Sequence, residues 1–365
     1  MSSSPFPYDK LSVGDSFIAR DKDLAKLQAS VEAGTNLLIY SKRRMGKSSL
    51  IKQFFQSQTS TICIYADVYD VTKKEDFARL LLKSLSNVKL NKSVLKNLAD
   101  LFKRLRFEMT IDPKNDKYGI RPTLSSLTFD EMMQDFFAAI QGLSEKQPVV
   151  IAIDEFQQIA HIKDTHLDAY LRKFIQERNT NVSFIFAGSK RHLLTSLFAY
   201  KAPLFEMANH YALTPLAFED IRAYVSQHLN ISDDDLGYLC TDIADNETKM
   251  MQHLLHLLYV GKAKTPIRRE MIDQALDEIL NEKEATFRLV FDGLNTNQRI
   301  AMKAVVNAGH KLYSEAVLQQ FGITKSALQS AIRQLFAREL IDKENDRYFI
   351  PDRSLELWLA RMMAS

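Results

Sequence analysis

Residues 37–51 constrain the fold of this chain more than any other stretch, and they read LLIYSKRRMGKSSLI. A short apolar run, suited to a buried strand, leads into a basic loop, and Gly-Lys-Ser-Ser then opens a segment with helical apolar spacing. Strand, loop and helix N-terminus in this order form a phosphate-binding P-loop, because N–H groups of the loop and first helical turn converge on one point. The stretch predicts an α/β fold with a parallel sheet flanked by helices and a polyphosphate site beside the first strand.

The residue types in the loop predict separate roles. Lys47 is expected to reach the β- and γ-phosphates, the Ser48 hydroxyl to bind Mg²⁺, and Gly46 to let the backbone approach the phosphates without a Cβ. The predicted phosphate-binding set is Ser41, Arg43, Arg44, Met45, Gly46, Lys47, Ser48 and Ser49. Ser41 stands where the motif has its first glycine, which leaves open a chance Gly-Lys-Ser at a helix start.

A second motif lies at residues 149–156, VVIAIDEF, where five apolar residues run into two acids. This is the pattern of a Walker B strand. Asp154 is expected on the Mg²⁺ side of the site, and Glu155 is expected to polarise the water that attacks the γ-phosphate. The alternative is a strand that ends in a helix N-cap formed by Asp154.

Two further strand ends complete the predicted sheet. Residues 182–189, VSFIFAGS, predict a buried strand between the P-loop strand and the acidic strand, which would turn Ser189 toward the γ-phosphate as a polar sensor. The alternative for Ser189 is ordinary turn chemistry. Residues 213–216 are predicted to form a last short strand.

The remaining periodicity predicts three domains. Residues 1–216 form the P-loop core, with an insertion on the sheet edge at about 87–126 that contains an amphipathic helix and a hairpin. Residues 217–290 are helical throughout and form a lid. Residues 291–365 contain three helices followed by a hairpin around 343–347, which is the order of a winged helix.

Composition limits the classes of partner. The net charge of +3 is too small to mark the whole chain as a binder of nucleic acid or membranes. The two cysteines, Cys63 and Cys240, have no CxxC neighbour, so neither a zinc site nor a disulfide framework is expected. No apolar run is long enough to cross a bilayer and the N-terminus lacks a signal-peptide pattern, so a cytoplasmic location without a membrane partner is expected.

Together these motifs resemble those of archaeal and bacterial P-loop ATPases of the STAND class, which are close to AAA+ ATPases. The matching segments are Ala19-Arg20, Arg43-Arg44-Met45-Gly46-Lys47, Asp154-Glu155-Phe156-Gln157, Gly188-Ser189, Leu213-Thr214-Pro215-Leu216 and the run from Pro351 to Trp358. The resemblance implies ATP and ADP as ligands and adds Arg20 to the nucleotide-binding residues. Two features of the class are missing: an arginine within residues 204–208 and a Gly-x-Pro within residues 244–248.

These observations predict an ATP-binding and ATP-hydrolysing switch. Its Mg²⁺–ATP state would be coupled to movement of the lid and winged helix and to partner or self association, with the missing lid features implying slow turnover. Arg172 or Arg178 would either act on the nucleotide of a neighbouring subunit or form a solvated helix face.

Two alternatives stay open at this point. One is an ATP-regulated DNA-binding protein that presents Lys325, Gln329 and Arg333 on a recognition helix. Its charge support is weak, since residues 294–365 hold ten basic and seven acidic residues. The other is a nucleotide-binding scaffold without hydrolysis, supported by Ser41 and opposed by intact Lys47, Ser48, Asp154 and Glu155.

Overall fold

The computed structural model describes residues 4–88, 90, 96, 98–99, 101–103, 105, 107–112, 117–122, 127–162, 167–262, 266–344 and 346–364. The chain divides into two compact units. One is Val13–Thr214, and the other combines Met1–Ser12 with Pro215–Ser365. The helix predicted within residues 87–107 falls largely outside the described residues.

The Val13–Thr214 unit is built on a parallel sheet. Its strands are β1 (Leu37–Tyr40), β2 (Ile62–Asp67), β3 (Phe107–Asp112), β4 (Lys117–Pro122), β5 (Val149–Asp154), β6 (Val182–Gly188) and β7 (Asn209–Ala212). Five of them pair in the order β2-β5-β6-β1-β7, with every pairing parallel. The predicted fold class is confirmed, and so is the placement of β6 between the P-loop strand and the acidic strand.

Helices cover the sheet. They are α1 (Asp21–Glu32), α2 (Lys47–Ser57), α3 (Lys74–Ser84), α4 (Phe129–Ser144), α5 (Leu167–Glu177) and α6 (Arg191–Leu197). All residues of β5 and β6 are buried, as expected for central parallel strands that are covered on both faces. The four-residue capping box of α4 pairs Thr128 with Glu131, which fixes where that helix begins.

The last strand was predicted wrongly. The chain pairs with β1 at Asn209–Ala212, and only the N–H of Leu213 continues to β1, with a hydrogen bond to the Tyr40 carbonyl oxygen; residues 213–216 form no strand. The error has a physical cause. Strand β7 lies on the sheet edge, where three of its four residues are exposed and the other is half-buried, so it lacks the apolar run by which a buried strand is recognised.

The predicted hairpin in the insertion is present. Strands β3 and β4 pair antiparallel from Phe107↔Pro122 to Asp112↔Lys117 and form a separate two-stranded sheet. Phe107 and Ile120 are buried in the same apolar cluster as Phe77 and Met132, which anchors the hairpin beside α3 and α4.

The second unit is helical, with a short hairpin near its end. It contains α7 (Phe218–Val225), α8 (Asp233–Gly237), a π-helix (Tyr238–Ile243), α9 (Thr248–Lys262), α10 (Arg269–Asp292), α11 (Thr296–Ala308), α12 (Glu315–Phe321), α13 (Lys325–Ala337), β8 (Asp342–Glu344), β9 (Arg347–Phe349) and α14 (Arg353–Ala364). Helices α11 to α13 followed by the β8–β9 hairpin give the predicted winged helix.

Helix α10 and the winged helix share one core. Phe287 and Phe291, near the end of α10, pack against Trp358 of α14. Arg353 donates hydrogen bonds to the carbonyl oxygens of Ile243 and Asp242, at 2.8 Å each. No helix in the described part of the chain is both long enough and apolar enough to cross a membrane.

Candidate nucleotide-binding site

The loop between β1 and α2 has the backbone geometry of a phosphate cradle. Gly46 has a φ of 90° and is the N-cap of α2, so the helix begins at Lys47 with its first N–H groups facing the loop. A φ in this region favours glycine, which explains Gly46. Arg44 also has a positive φ, of 64°, whereas Ser41 is not among the positive-φ residues of the described chain. Serine at position 41 therefore carries no backbone strain from the loss of the motif's first glycine.

Lys47 is folded back onto this loop. Its Nζ donates to the carbonyl oxygens of Ser41 (3.2 Å) and Lys42 (3.0 Å) and to Ser41 Oγ (3.1 Å). Lys47 is only 5% exposed. Burial lowers its pKa from 10.5 to about 8, although the nearby Glu155 and Asp154 carboxylates act in the opposite direction. The ammonium group therefore lies where an anionic ligand would stabilise its charge.

A second group of contacts surrounds Asp154, which is 1% exposed at the end of β5. Its Oδ2 accepts hydrogen bonds from Ser48 Oγ at 2.5 Å and from the Tyr65 hydroxyl at 2.7 Å. Its Oδ1 accepts from the backbone N–H of Glu155 at 3.0 Å. Ser48 and Asp154, predicted separately from two motifs, are thus in direct contact.

The donor set fits Mg²⁺, which prefers carboxylate and hydroxyl oxygens and usually binds through one or two protein groups plus substrate phosphates. Ser48 and Asp154 supply such oxygens beside the loop. Within the described ranges, no cluster of three or more His, Cys, Asp or Glu residues could hold a metal ion alone. A Mg²⁺ ion here would also bind phosphate oxygens, as it usually does at such sites.

Glu155 follows Asp154 in a left-handed conformation, with φ 53° and ψ 37°. Such a conformation is uncommon for glutamate and must be held by its surroundings. Its Oε2 accepts hydrogen bonds from Gln157 Nε2 and from Ser189 Oγ, the latter at 3.2 Å. Ser189, at the end of β6, therefore lies beside the carboxylate that was predicted to polarise water.

Gln157 is fully buried, and its amide reaches β6 as well as Glu155. Its Oε1 has no hydrogen-bond partner among the residues that the structure describes. It lies so close to Gly188 that a Cβ at position 188 would overlap it. Gly188 thus has a specific reason to lack a side chain, which is to leave room for the amide that positions Glu155.

Arg20 lies behind the loop. Its guanidinium donates to Asp23 Oδ2 (2.9 Å), to the carbonyl oxygen of Met45 (3.1 Å) and to that of Thr214 (3.0 Å). Arg20 is 6% exposed. The structure therefore places it against the protein part of the P-loop, where it fixes the Met45 carbonyl. Among the other predicted loop residues, Met45 is buried, while Arg43, Arg44 and Ser49 are half-buried.

The two arginines considered for action in trans differ in position. Arg172 is exposed on α5. Arg178 donates to the carbonyl oxygens of Ile175, Val182 and Gly34. Gly34 precedes β1 and Val182 begins β6, so Arg178 lies at the amino ends of the strands, away from the P-loop edge. It caps the end of α5, and its guanidinium is bonded to carbonyl oxygens of its own chain.

Residues 17–232, more than half of the chain, match the family described as "ATPase domain predominantly from Archaea". The chain belongs to this family. Membership in this archaeal-type ATPase family makes the protein an ATP-binding ATPase. Residues 285–361 match a second family, described as "Probable winged helix domain". A comparison with curated proteins found no match.

Solved structures show the same fold as this ATPase-family chain. A Walker-type ATPase of Pyrococcus abyssi is 14% identical, with 98% of this chain and 100% of that chain covered and a TM-score of 0.65. The Aeropyrum pernix ORC1 protein in complex with DNA is 13% identical, with 94% and 93% covered and a TM-score of 0.51. The Aeropyrum pernix ORC2 protein in its ADPNP–ADP complexes is 10% identical, with 99% and 98% covered and a TM-score of 0.51.

Two site residues were not predicted from the sequence. Tyr65 lies in β2, which reads as an ordinary apolar strand, and no local motif marks its hydroxyl. Gln157 was noticed only as part of a family-like segment, and its contact with Glu155 depends on the left-handed turn between them. Residues two apart in a strand lie on the same face, so Tyr65 shares a face with Asp67 at the carboxyl end of β2. This spacing is the one sequence feature that could have pointed to Tyr65.

Proposed function

We propose that this ATPase is a Mg²⁺-dependent molecular switch of the STAND or AAA+ type. The observation that carries the proposal is the convergence of Lys47, Ser48, Asp154, Glu155 and Ser189 around the N-terminus of α2. Those groups supply a cation for phosphates, oxygens for a metal and a carboxylate for water.

The proposed roles follow from the contacts. Lys47 and the loop N–H groups bind the β- and γ-phosphates, whose negative charge replaces the carbonyl contacts that Lys47 now makes. Ser48 and Asp154 hold Mg²⁺, which supplies charge neutralisation when bound. Glu155, held by Gln157 and Ser189, orients a water for attack on the γ-phosphorus.

In this reaction the water oxygen forms a bond to the γ-phosphorus while the bond to the β–γ bridging oxygen breaks. ADP and phosphate are the products, and Glu155 accepts a proton from the water. Ser189 is placed to respond when the γ-phosphate leaves, because its hydroxyl already contacts the same carboxylate.

We further propose that residues 217–290 act as a lid and residues 291–365 as an output domain. Since Arg353 and the Phe287–Phe291–Trp358 contacts join these segments, they would move as one body when nucleotide state changes. The moving surface would engage a protein partner or a second copy of the chain.

The test of nucleotide binding is the variant Lys47→Ala, measured with a fluorescent ATP analogue. We expect binding to be lost, because the buried cation is removed from the phosphate site. The control is Lys42→Ala, which removes an exposed charge from the same loop and should keep affinity within about threefold, given the small contribution of exposed charges. Unchanged affinity in the Lys47 variant would exclude this loop as the nucleotide site.

One observation favours a second function, regulated DNA binding. Lys325, Gln329 and Arg333 are all exposed on α13, and their spacing of four residues aligns them on one face. Solved structures with this fold include an ORC1 protein bound to DNA. Against it, the wing residue Lys343 forms an ion pair with Asp346 at 2.8 Å, which reduces the free positive charge.

DNA binding is tested with the full chain and a labelled duplex at several salt concentrations, with ATP or ADP. Regulated DNA binding predicts affinity that falls steeply with salt and weakens in a Lys325→Ala, Arg333→Ala double variant. Absence of binding at low salt in both nucleotide states would eliminate this second function.

A further inference from the structure

The residue of interest is Tyr65, which no motif assigns to the site. It lies in β2, where its backbone is aligned with Ala152 of β5, and the next residue on the same face, Asp67, is aligned with Asp154. Ala152 is fully buried and small, and Tyr65 packs on the apolar cluster that contains it. This pairing lets the ring extend along the sheet toward Asp154.

The hydroxyl of Tyr65 meets the carboxylate at the oxygen that also contacts Ser48. Asp154 Oδ2 accepts from Tyr65 at 2.7 Å and from Ser48 at 2.5 Å, while Oδ1 accepts from the Glu155 backbone. The carboxylate is therefore held by three donors from three elements. Of these three, Tyr65 is the donor that belongs neither to the P-loop nor to the acidic strand.

The ring of Tyr65 is also held in place, by a contact with Lys52. Lys52 Nζ lies 3.4 Å from the ring centroid, within cation–π range. Lys52 is four residues after Ser48 on α2, so one face of this helix supplies both the hydroxyl on Asp154 and the cation on the tyrosine. Tyr65 thus connects α2 to Asp154 by a second route.

We propose that Tyr65 is a positioning residue that orients Asp154 for Mg²⁺ and so sets the magnesium dependence of nucleotide binding. The proposal rests on the proposed Mg²⁺–ATP site. Residues that hold metal-binding side chains in place by hydrogen bonds contribute about 10- to 100-fold to metal affinity in known proteins. Without the tyrosine donor, the Asp154 carboxylate can rotate away from the Ser48 hydroxyl, and the two proposed Mg²⁺ ligands would no longer lie side by side.

The test is Tyr65→Phe, which removes the hydroxyl and keeps the ring beneath Lys52. Affinity for a fluorescent ATP analogue is measured at increasing Mg²⁺ and in EDTA. We expect the Mg²⁺ concentration at half-maximal enhancement to rise about tenfold. Affinity in EDTA should stay at the wild-type value, and high Mg²⁺ should restore full binding.

The matched control is Tyr238→Phe in the other unit. The Tyr238 hydroxyl also donates to an aspartate, Asp273, at 2.7 Å, and Arg269 also lies over its ring, at 4.1 Å. This variant removes the same kind of bond without touching Asp154, so its Mg²⁺ dependence should equal that of the wild type.

The outcomes separate the two proposals. If the wild type binds ATP with no dependence on Mg²⁺, the proposed metal site fails. If the wild type depends on Mg²⁺ and Tyr65→Phe has the same midpoint, the role of Tyr65 is refuted. A Tyr65→Phe variant that loses affinity equally in EDTA and in saturating Mg²⁺ has lost structure in general, which also overturns the positioning role.

Discussion

Lys47 provides a quantitative prediction, because its ammonium group is buried and its pKa is lowered. The pKa falls from 10.5 in the unfolded chain to about 8 in the folded protein. At 1.36 kcal/mol per unit, this difference corresponds to about 3 kcal/mol. Near neutral pH the folded protein bears this cost, since Lys47 is protonated in both states.

The sign of the pH dependence follows from proton counts. Between pH 8 and 10.5 the unfolded chain holds the Lys47 proton while the folded protein has lost it. The unfolded state therefore binds more protons, and the free energy of unfolding must rise with pH across this window. The rise attributable to Lys47 is about 3 kcal/mol and is absent below pH 7.

The perturbation is Lys47→Met, which keeps most of the side-chain volume and removes the titrating group. Urea denaturation of wild type and variant, followed by circular dichroism from pH 7 to 10.5, gives the difference in unfolding free energy. We expect that difference to shift by about 3 kcal/mol in favour of the wild type as pH rises. Other titrating groups are common to both proteins and cancel.

A difference in unfolding free energy that stays constant from pH 7 to 10.5 would refute the claim that burying the Lys47 charge costs free energy.

A second assay tests the lowered pKa of Lys47 through ATP binding. Because the lowered pKa leaves part of Lys47 unprotonated near pH 8, ATP binding should take up a fraction of a proton per nucleotide, as measured by calorimetry in two buffers.

The remaining predictions concern residues around the loop. Arg20→Ala should lower the unfolding free energy of the nucleotide-free protein by about 3 kcal/mol, because it leaves Asp23 buried without its ion-pair partner. Unchanged stability in denaturation experiments, with ATP affinity alone reduced, would instead make Arg20 a nucleotide contact. Gly188→Ala should slow phosphate release by about 100-fold with little change in ATP affinity, because the new Cβ displaces Gln157 from Glu155. Adding Gln157→Ala to Gly188→Ala should cause no further loss; a further large loss would disprove the shared contact.

Much of the fold could be predicted from the sequence because the central strands are buried on both faces. Strands β1, β5 and β6 therefore appear as continuous apolar runs, and the P-loop and acidic motifs fix which ends carry the site. The edge strand β7 has exposed side chains and no such run, which is why it was placed four residues too late.

The site residues also differ in whether a local sequence pattern marks them. Lys47, Ser48, Asp154 and Glu155 occur in local motifs whose spacing encodes their chemistry. Tyr65 depends on the β2–β5 register, which no local pattern specifies.

Ser41 departs from the motif, which has glycine at this position, and this departure left a chance Gly-Lys-Ser open as an alternative. The observed loop places its positive-φ positions at Arg44 and Gly46 instead, and the Ser41 hydroxyl accepts a hydrogen bond from Lys47. The path of the loop backbone decides which of its positions has a positive φ. That path could not be predicted from the sequence of the loop.

The most direct test of the central claim is single-turnover phosphate release by the wild type and by Glu155→Gln, with ATP affinity measured for both. The glutamine keeps the side-chain shape but cannot accept the proton of the attacking water. We predict equal ATP affinity within about threefold and phosphate release slowed by about 100-fold or more, the range of general-base catalysis. Equal rates of phosphate release in the two proteins would contradict the assignment of this site as the centre of ATP hydrolysis.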